Sequence, residues 1–191
     1  MLKKYMSVML FTIGIINLNA QNASIGLRYE PCFFVDGHNS NDIWAHKLDD
    51  GSGIFFNSFS LGVSYELTDY FSNSVRLGYL GSRTEGDHGY NGFEVSTYLS
   101  YDKKSIMLKP LIGLLIHLNN DDNTQGVIVK KKAIVLASIG FEVQVVDHII
   151  IGALLQLPIT NSEFNSVSTN IPHNTYAKFL LKLVLGYEIN L

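Results

Sequence analysis

Nine charged side chains recur at alternate positions within otherwise apolar runs: Arg28, Glu30, Glu66, Arg76, Glu94, Lys109, Glu142, Lys182 and Glu188. Successive side chains of a strand point to opposite faces, so these four positive and five negative groups would share the non-greasy face. Unpaired charge withdrawn from water is costly. The expected chemistry is therefore structural, an interior charge network in which each cation meets carboxylates from neighbouring strands. The other chemically capable residues form weaker patterns. Lys130, Lys131 and Lys132 make either a solvated edge or a contact for lipid phosphates, to which Arg83 could add. Asp121 to Gly126 begins like a calcium loop, but its twelfth position is Lys132 where a bidentate Glu belongs, so a turn is expected. His88 and His173 have no identifiable partner in the sequence, and Trp44 fits an adhesive contact or a rim anchor. Cys32 is the only cysteine, which excludes an internal disulfide. The residues before it, Arg28-Tyr29-Glu30-Pro31, are no lipoprotein signal, so it is expected as a small buried side chain. Nothing in these patterns predicts a catalytic residue, a cofactor or a metal.

The elements that must position these groups are strands. From Thr175 to Leu191, Ala177, Phe179, Leu181, Leu183, Leu185, Tyr187, Ile189 and Leu191 occupy one register, and Lys178, Lys182, Gly186, Glu188 and Asn190 occupy the other. The period is two and the run is long. Soluble strands average about five or six residues, whereas a tilted strand crossing a membrane needs roughly nine to eleven.

Seven further segments read as strands, six with the same alternation and the last, before the terminal strand, apolar on both faces apart from Gly152 and Gln156. The first, about Ala23 to Phe34, sets Ile25, Leu27, Tyr29 and Phe33 against Gly26, Arg28, Glu30 and Cys32. Strands follow at Phe55 to Leu67, from Val75 through Tyr79, from Phe93 to Tyr101, and from Ile106 to Leu118, the last blurred by Met107, Leu111 and Leu115. Two more run from Ala133 to Val146 and from Ile149 to Ile159. The connections alternate in length. Val35 to Ile54, Ser82 to Asn91, Asn119 to Lys132 and Thr160 to Asn174 are longer, whereas Thr68 to Asn73, Asp102-Lys103-Lys104 and Asp147-His148 are short. Up-and-down strands place all the longer connections at one end, which is the asymmetry of membrane barrels. The predicted fold is all-β, an eight-stranded antiparallel up-and-down transmembrane barrel.

Lys3 and Lys4, an apolar run from Met6 to Ile16 and then Asn17-Leu18-Asn19-Ala20 have the order of a secretory signal peptide. An apolar run this short falls below the roughly 20 residues of a spanning helix. The expected division is a signal peptide over residues 1–20, cut after Ala20, and a barrel domain over 21–191. Taking Lys3 and Lys4 from 14 basic side chains leaves 12 against 17 acidic ones, a formal charge of −5 that argues against a nucleic-acid partner. Hydrophobic residues make up 47% of the chain, and alternation reconciles that figure with the absence of a helical span.

The phrase Tyr65-Glu66-Leu67-Thr68-Asp69-Tyr70-Phe71-Ser72, followed by Leu77-Gly78-Tyr79, and the greasy carboxyl-terminal strand resemble the OmpA/OmpX-like family of small eight-stranded outer-membrane barrels. Leu191 stands where that family usually ends on an aromatic residue. The resemblance implies a bacterial outer-membrane location, a porin-like fold, outer-membrane lipid including lipopolysaccharide as surroundings, and the barrel insertion machinery as partner. It implies a non-enzymatic barrel with a side-chain-filled interior and external loops for surface contacts. His38-Asn39-Ser40-Asn41 resembles the His-x-Ser-Asn of barrel lipid A deacylases, whose His activates a Ser nucleophile. Here it falls in a predicted loop without that family's third member, so a solvated loop explains it better. Two alternatives remain beside the main expectation: a barrel enzyme acting on lipid A, and a soluble lipocalin-like ligand-binding barrel, which requires the opposite polarity of faces.

Overall fold

The computed structural model describes residues 22–38, 54–82, 90–102, 107–120, 127–129, 133–167 and 173–191. The described residues form ten strands: β1 (Ala23–His38), β2 (Ile54–Thr68), β3 (Phe71–Ser82), β4 (Gly92–Tyr101), β5 (Leu108–Asn119), β6 (Val127–Val129), β7 (Ala133–Val146), β8 (Ile149–Pro158), β9 (Glu163–Val167) and β10 (His173–Asn190). Eight of them close an all-antiparallel barrel in the order β1-β2-β3-β4-β5-β7-β8-β10, with β10 returning to pair with β1. Among the described residues there is no helix.

The tight turns form where the sequence puts turn chemistry. Thr68 Oγ1 accepts hydrogen bonds from the backbone N–H groups of Tyr70 and Phe71, at 3.3 and 3.1 Å, and so fixes the β2–β3 hairpin. Asp147-His148 closes β7 onto β8 with His148 at φ 72°, and its ring Nδ1 lies 2.8 Å from the Glu188 carbonyl oxygen.

Two strands lie inside segments expected as polar breaks. β6 pairs with β9, which pairs with the upper part of β10. The polar composition of 119–132 and 160–174 hid them, because short strands that only prolong an existing wall need no apolar alternation of their own. They extend the wall of β7, β8 and β10 beyond the barrel at the long-connection end. The join is bonded by Ile159 N–H to the Val135 carbonyl at 2.9 Å and by Ala177 N–H to the Ser162 carbonyl at 3.0 Å.

The outward faces carry Leu27, Leu61, Leu77, Phe93, Ile112, Ile139, Leu183 and Leu185, each more than half exposed. The inward faces carry serines, glycines and the charged groups. That polarity is opposite to a soluble barrel's. Pairing between β1 and β10 shifts between Val35 and Asp36, so Lys178 is bulged and Ala177 turns inward, 3% exposed, although strict alternation puts it outside. Tyr65 departs likewise. Beside the irregularity between Glu66 and Thr68 it is buried, 6% exposed, and lines a cavity, although it shares the alternate register of the exposed Val63 and Leu67.

Candidate functional site

Each of the eight barrel strands carries one lumen-side glycine: Gly26, Gly62, Gly78, Gly92, Gly113, Gly140, Gly152 and Gly186. Long side chains lie across several of these gaps. A Cβ on Gly26 would sit 2.8 Å from Arg28 Nη1, one on Gly62 2.9 Å from Arg76 Cγ, and one on Gly152 3.1 Å from Glu142 Cγ. The sequence thus vacates wall volume so that two guanidinium groups and their carboxylates fit within eight strands, whose interior is just wide enough for side chains.

The charged groups form an alternating chain through the lumen. At the short-turn end Ser24 donates to Glu188, whose other oxygen lies 2.7 Å from Arg28 Nη2. Arg28 also meets Glu142 at 3.2 Å, and the same Glu142 oxygen accepts from Arg76 Nη2 at 2.7 Å. Arg76 lies 3.6 Å from Glu30 and holds its guanidinium carbon 4.4 Å from the centre of the Tyr98 ring. Lys182, 0% exposed, bridges Glu30 at 3.2 Å and Glu94 at 2.5 Å. Glu94 then faces His117 Nδ1 at 3.7 Å, and His117 Nε2 sits 3.2 Å from Asn119 Oδ1. Ser58 donates to Glu94 and Ser60 to Glu30.

Seven of the nine charged positions named from the sequence meet in this chain. Glu66 and Lys109 stand apart at the short-turn rim, where Glu66 accepts from Asn22 at 2.7 Å and Lys109 pairs with Asp102 at 2.6 Å. Both have the inward register and lie near their strands' short-turn ends; Lys109 even stands opposite Glu142 in the β5–β7 ladder, but its ammonium turns to Asp102. His117 was visible only as an inward residue of the fifth strand. Its parity with Lys109 was the signal that it would join the charged face.

Above the charged layer the lumen changes character. Cys32, Phe34, Phe56, Leu80, Tyr90, Leu115, Ile134, Leu136, Ala177 and Leu180 form one buried apolar cluster at the long-connection end. Tyr90 stacks on His117 at 4.2 Å on one side and on Phe34 at 4.6 Å on the other, joining the two layers. The inward register of Phe34 and Phe56 was the trace of this cluster in the sequence. Tyr90 fell in a segment expected as loop. Below the charged layer a cavity of about 120 Å³ lies between Ser24, Ser64, Ser74, Tyr98, Glu142 and Glu188, at the end where Asn22 and Asn190 lie.

Several sequence candidates lie outside the described residues: the leader over 1–20, Asn39 to Asn41 of the His-x-Ser-Asn phrase, Trp44, Arg83, His88, the Asp121 to Gly126 segment, and Lys130, Lys131 and Lys132. Among the described residues no cluster of His, Cys, Asp and Glu could hold a metal ion.

No protein-family model and no curated protein matches the sequence. Solved structures do match over most of its length. Neisserial surface protein A aligns with a TM-score of 0.50 at 11% identity, over 87% of this chain and 96% of its own. The outer membrane protein OprG from Pseudomonas aeruginosa aligns with a TM-score of 0.50 at 9% identity, over 89% of this chain and 96% of its own. The structural neighbours are small outer-membrane barrels, and at these identities the likeness is one of fold.

Proposed function

We propose that this chain is a non-enzymatic integral barrel of the bacterial outer membrane, a sealed scaffold that holds its long connections at the cell surface. The observation that carries this reading is the polarity of the wall. Lipid solvates an apolar exterior, and a polar interior must then be satisfied within the protein. The outward positions of the described barrel strands are apolar or uncharged, while Arg28, Arg76 and Lys182 are each at most 2% exposed inside. OprG, whose fold this chain shares, is named as an outer membrane protein.

The two layers above the cavity support the sealed reading. An ion-paired chain of charges with an apolar cluster over it would leave a solute no continuous water column to follow. The OmpA/OmpX-like character read from the hairpin phrase and the terminal strand fits this scaffold. Lipopolysaccharide would surround it, with Lys130, Lys131 and Lys132 offering ammonium groups to lipid phosphates, and the barrel insertion machinery would place it in the membrane.

The test is electrical and chemical together. Purified protein in planar bilayers should show no steady conductance, and lipid A from cells with and without the protein should have identical mass spectra. Stepwise ohmic channels would return a small-solute pore to first place, and a changed acyl pattern would restore the lipid enzyme.

A further inference from the structure

The seam where β1 meets β10 closes the barrel, and its lipid-facing residues do not specify how the two strands should align. On β1 they are Ile25, Leu27, Tyr29 and Phe33, and on β10 they are Leu181, Leu183, Leu185, Tyr187 and Ile189. A slip of one residue would turn these faces inside out, but a slip of two leaves grease opposite grease. It would nevertheless change the stagger of the closed sheet, and with it the girth of the barrel.

The lumen-facing residues of the same two strands are not interchangeable. Arg28 stands opposite Gly186, Gly26 opposite Glu188, and Cys32 opposite Lys182. From these positions Arg28 reaches diagonally to Glu188 at 2.7 Å and Lys182 reaches diagonally to Glu30 at 3.2 Å. A two-residue slip in one direction sets Val184 opposite Arg28, where even a Cβ on Gly186 would be 3.1 Å from Arg28 Cγ, and carries Glu188 away toward Ser24. The opposite slip sets Lys182 against Phe34, inside the apolar cluster.

We propose that the two diagonal ion pairs, with Gly186 between them, are a register key for barrel closure. The hydrophobic pattern selects which face of each strand meets lipid, and the lumenal charges select which of the equivalent alignments closes. Among the ion pairs of the barrel's charge chain, these two run directly between β1 and β10.

Disulfide trapping tests this in a Cys32→Ser background refolded from urea into dilauroylphosphatidylcholine vesicles. Ser24 and Asn190 stand opposite each other in the native alignment, so S24C with N190C reports it, whereas N22C with N190C reports the alignment slipped by two. With the native key the first pair should oxidise and the second should stay reduced. Glu188→Gln and Arg28→Gln should each raise the slipped product at least fivefold. Glu142→Gln also breaks lumenal ion pairs, but not across the seam, and should leave the ratio of products unchanged. If Arg28→Gln does not fold, Glu188→Gln at the cavity mouth decides alone. A native ratio in Glu188→Gln, or an equal slip in Glu142→Gln, would overturn the proposal.

Discussion

At the residue scale, the position of an ion pair decides what its removal costs. Arg76 is 2% exposed and serves Glu142 and Glu30, both themselves buried. Truncating one partner of a buried pair typically costs about 3–5 kcal/mol because the other charge is left uncompensated. Arg76→Ala should therefore lose stability on that scale in urea unfolding from lipid vesicles. Lys109 and Asp102, with side chains 30% and 24% exposed, make a shorter contact but remain in reach of water. Lys109→Ala should change stability by less than about 1 kcal/mol in the same assay, since solvent screens such a pair. Equal losses at the two sites would mean that the central chain is hydrated and that burial is not what sets its energy. Lys130, Lys131 and Lys132 pose a separate residue-scale question. If they hold lipid phosphates, changing all three to Gln should reduce lipopolysaccharide co-purification and make what remains less sensitive to salt.

At the element scale, the strands are held together as much by what they omit as by what they carry. A Cβ on Gly113 would lie 2.2 Å from the Thr97 carbonyl oxygen of β4 and 2.5 Å from the Tyr98 ring. Neither can yield without moving the β4–β5 ladder, and forcing added volume into a packed site costs about 1–3 kcal/mol. Gly81 near the end of β3 is different, because a Cβ there meets only the Tyr79 ring, at 3.4 Å and beyond. Gly113→Ala should lower the temperature at which the folded band disappears on gels, while Gly81→Ala should leave it in place. The aromatics on the wall fall into two groups. Tyr101 packs against Phe71 with ring centres 5.5 Å apart near the tight turns, and Tyr79 packs against Phe93 at 5.3 Å toward the other end. Along β3, the eight steps from Phe71 to Tyr79, tilted as barrel strands are, span about 20 Å of membrane normal. A belt of that height should fold faster into vesicles of short-chain than of long-chain phosphatidylcholine, because mismatch is penalised per ångström. Indifference to chain length would mean that these rings do not mark the membrane boundaries.

At the scale of the whole molecule, the proposed sealed scaffold requires the lumen to be a blind compartment. Polar residues line a cavity at the short-turn end, an alternating chain of charges lies above it, and an apolar cluster occupies the far half. Cys32 is the natural probe of that closure because it is the only cysteine and is wholly buried within the cluster. A membrane-permeant maleimide should leave it unmodified in the folded protein and label it fully once the barrel is unfolded. Labelling of the folded form at the unfolded rate would show that the cluster opens, and the sealed reading would fall with it.

The sequence by itself determined the eight barrel strands, most of their inward and outward faces, and the end at which the tight turns lie. These are local properties: a period of two assigns each side chain to a face, and the Thr68 to Ser72 and Asp147-His148 phrases carry their own turn chemistry. Periodicity also placed Arg28, Glu30, Arg76, Glu94, Glu142, Lys182 and Glu188 on a common inner face. It could not say which of them touch, because contact across a lumen depends on the stagger between strands far apart in the chain. Tertiary structure therefore decided that Glu142 is shared by two arginines, that Lys182 joins Glu30 to Glu94, and that Glu66 and Lys109 remain at the rim. It also decided the departures from strict alternation. The bulge at Lys178 turns Ala177 inward, and the irregularity after Glu66 accompanies the burial of Tyr65. One residue left unpaired in a ladder reverses every face beyond it, and only the partner strand determines where that residue falls.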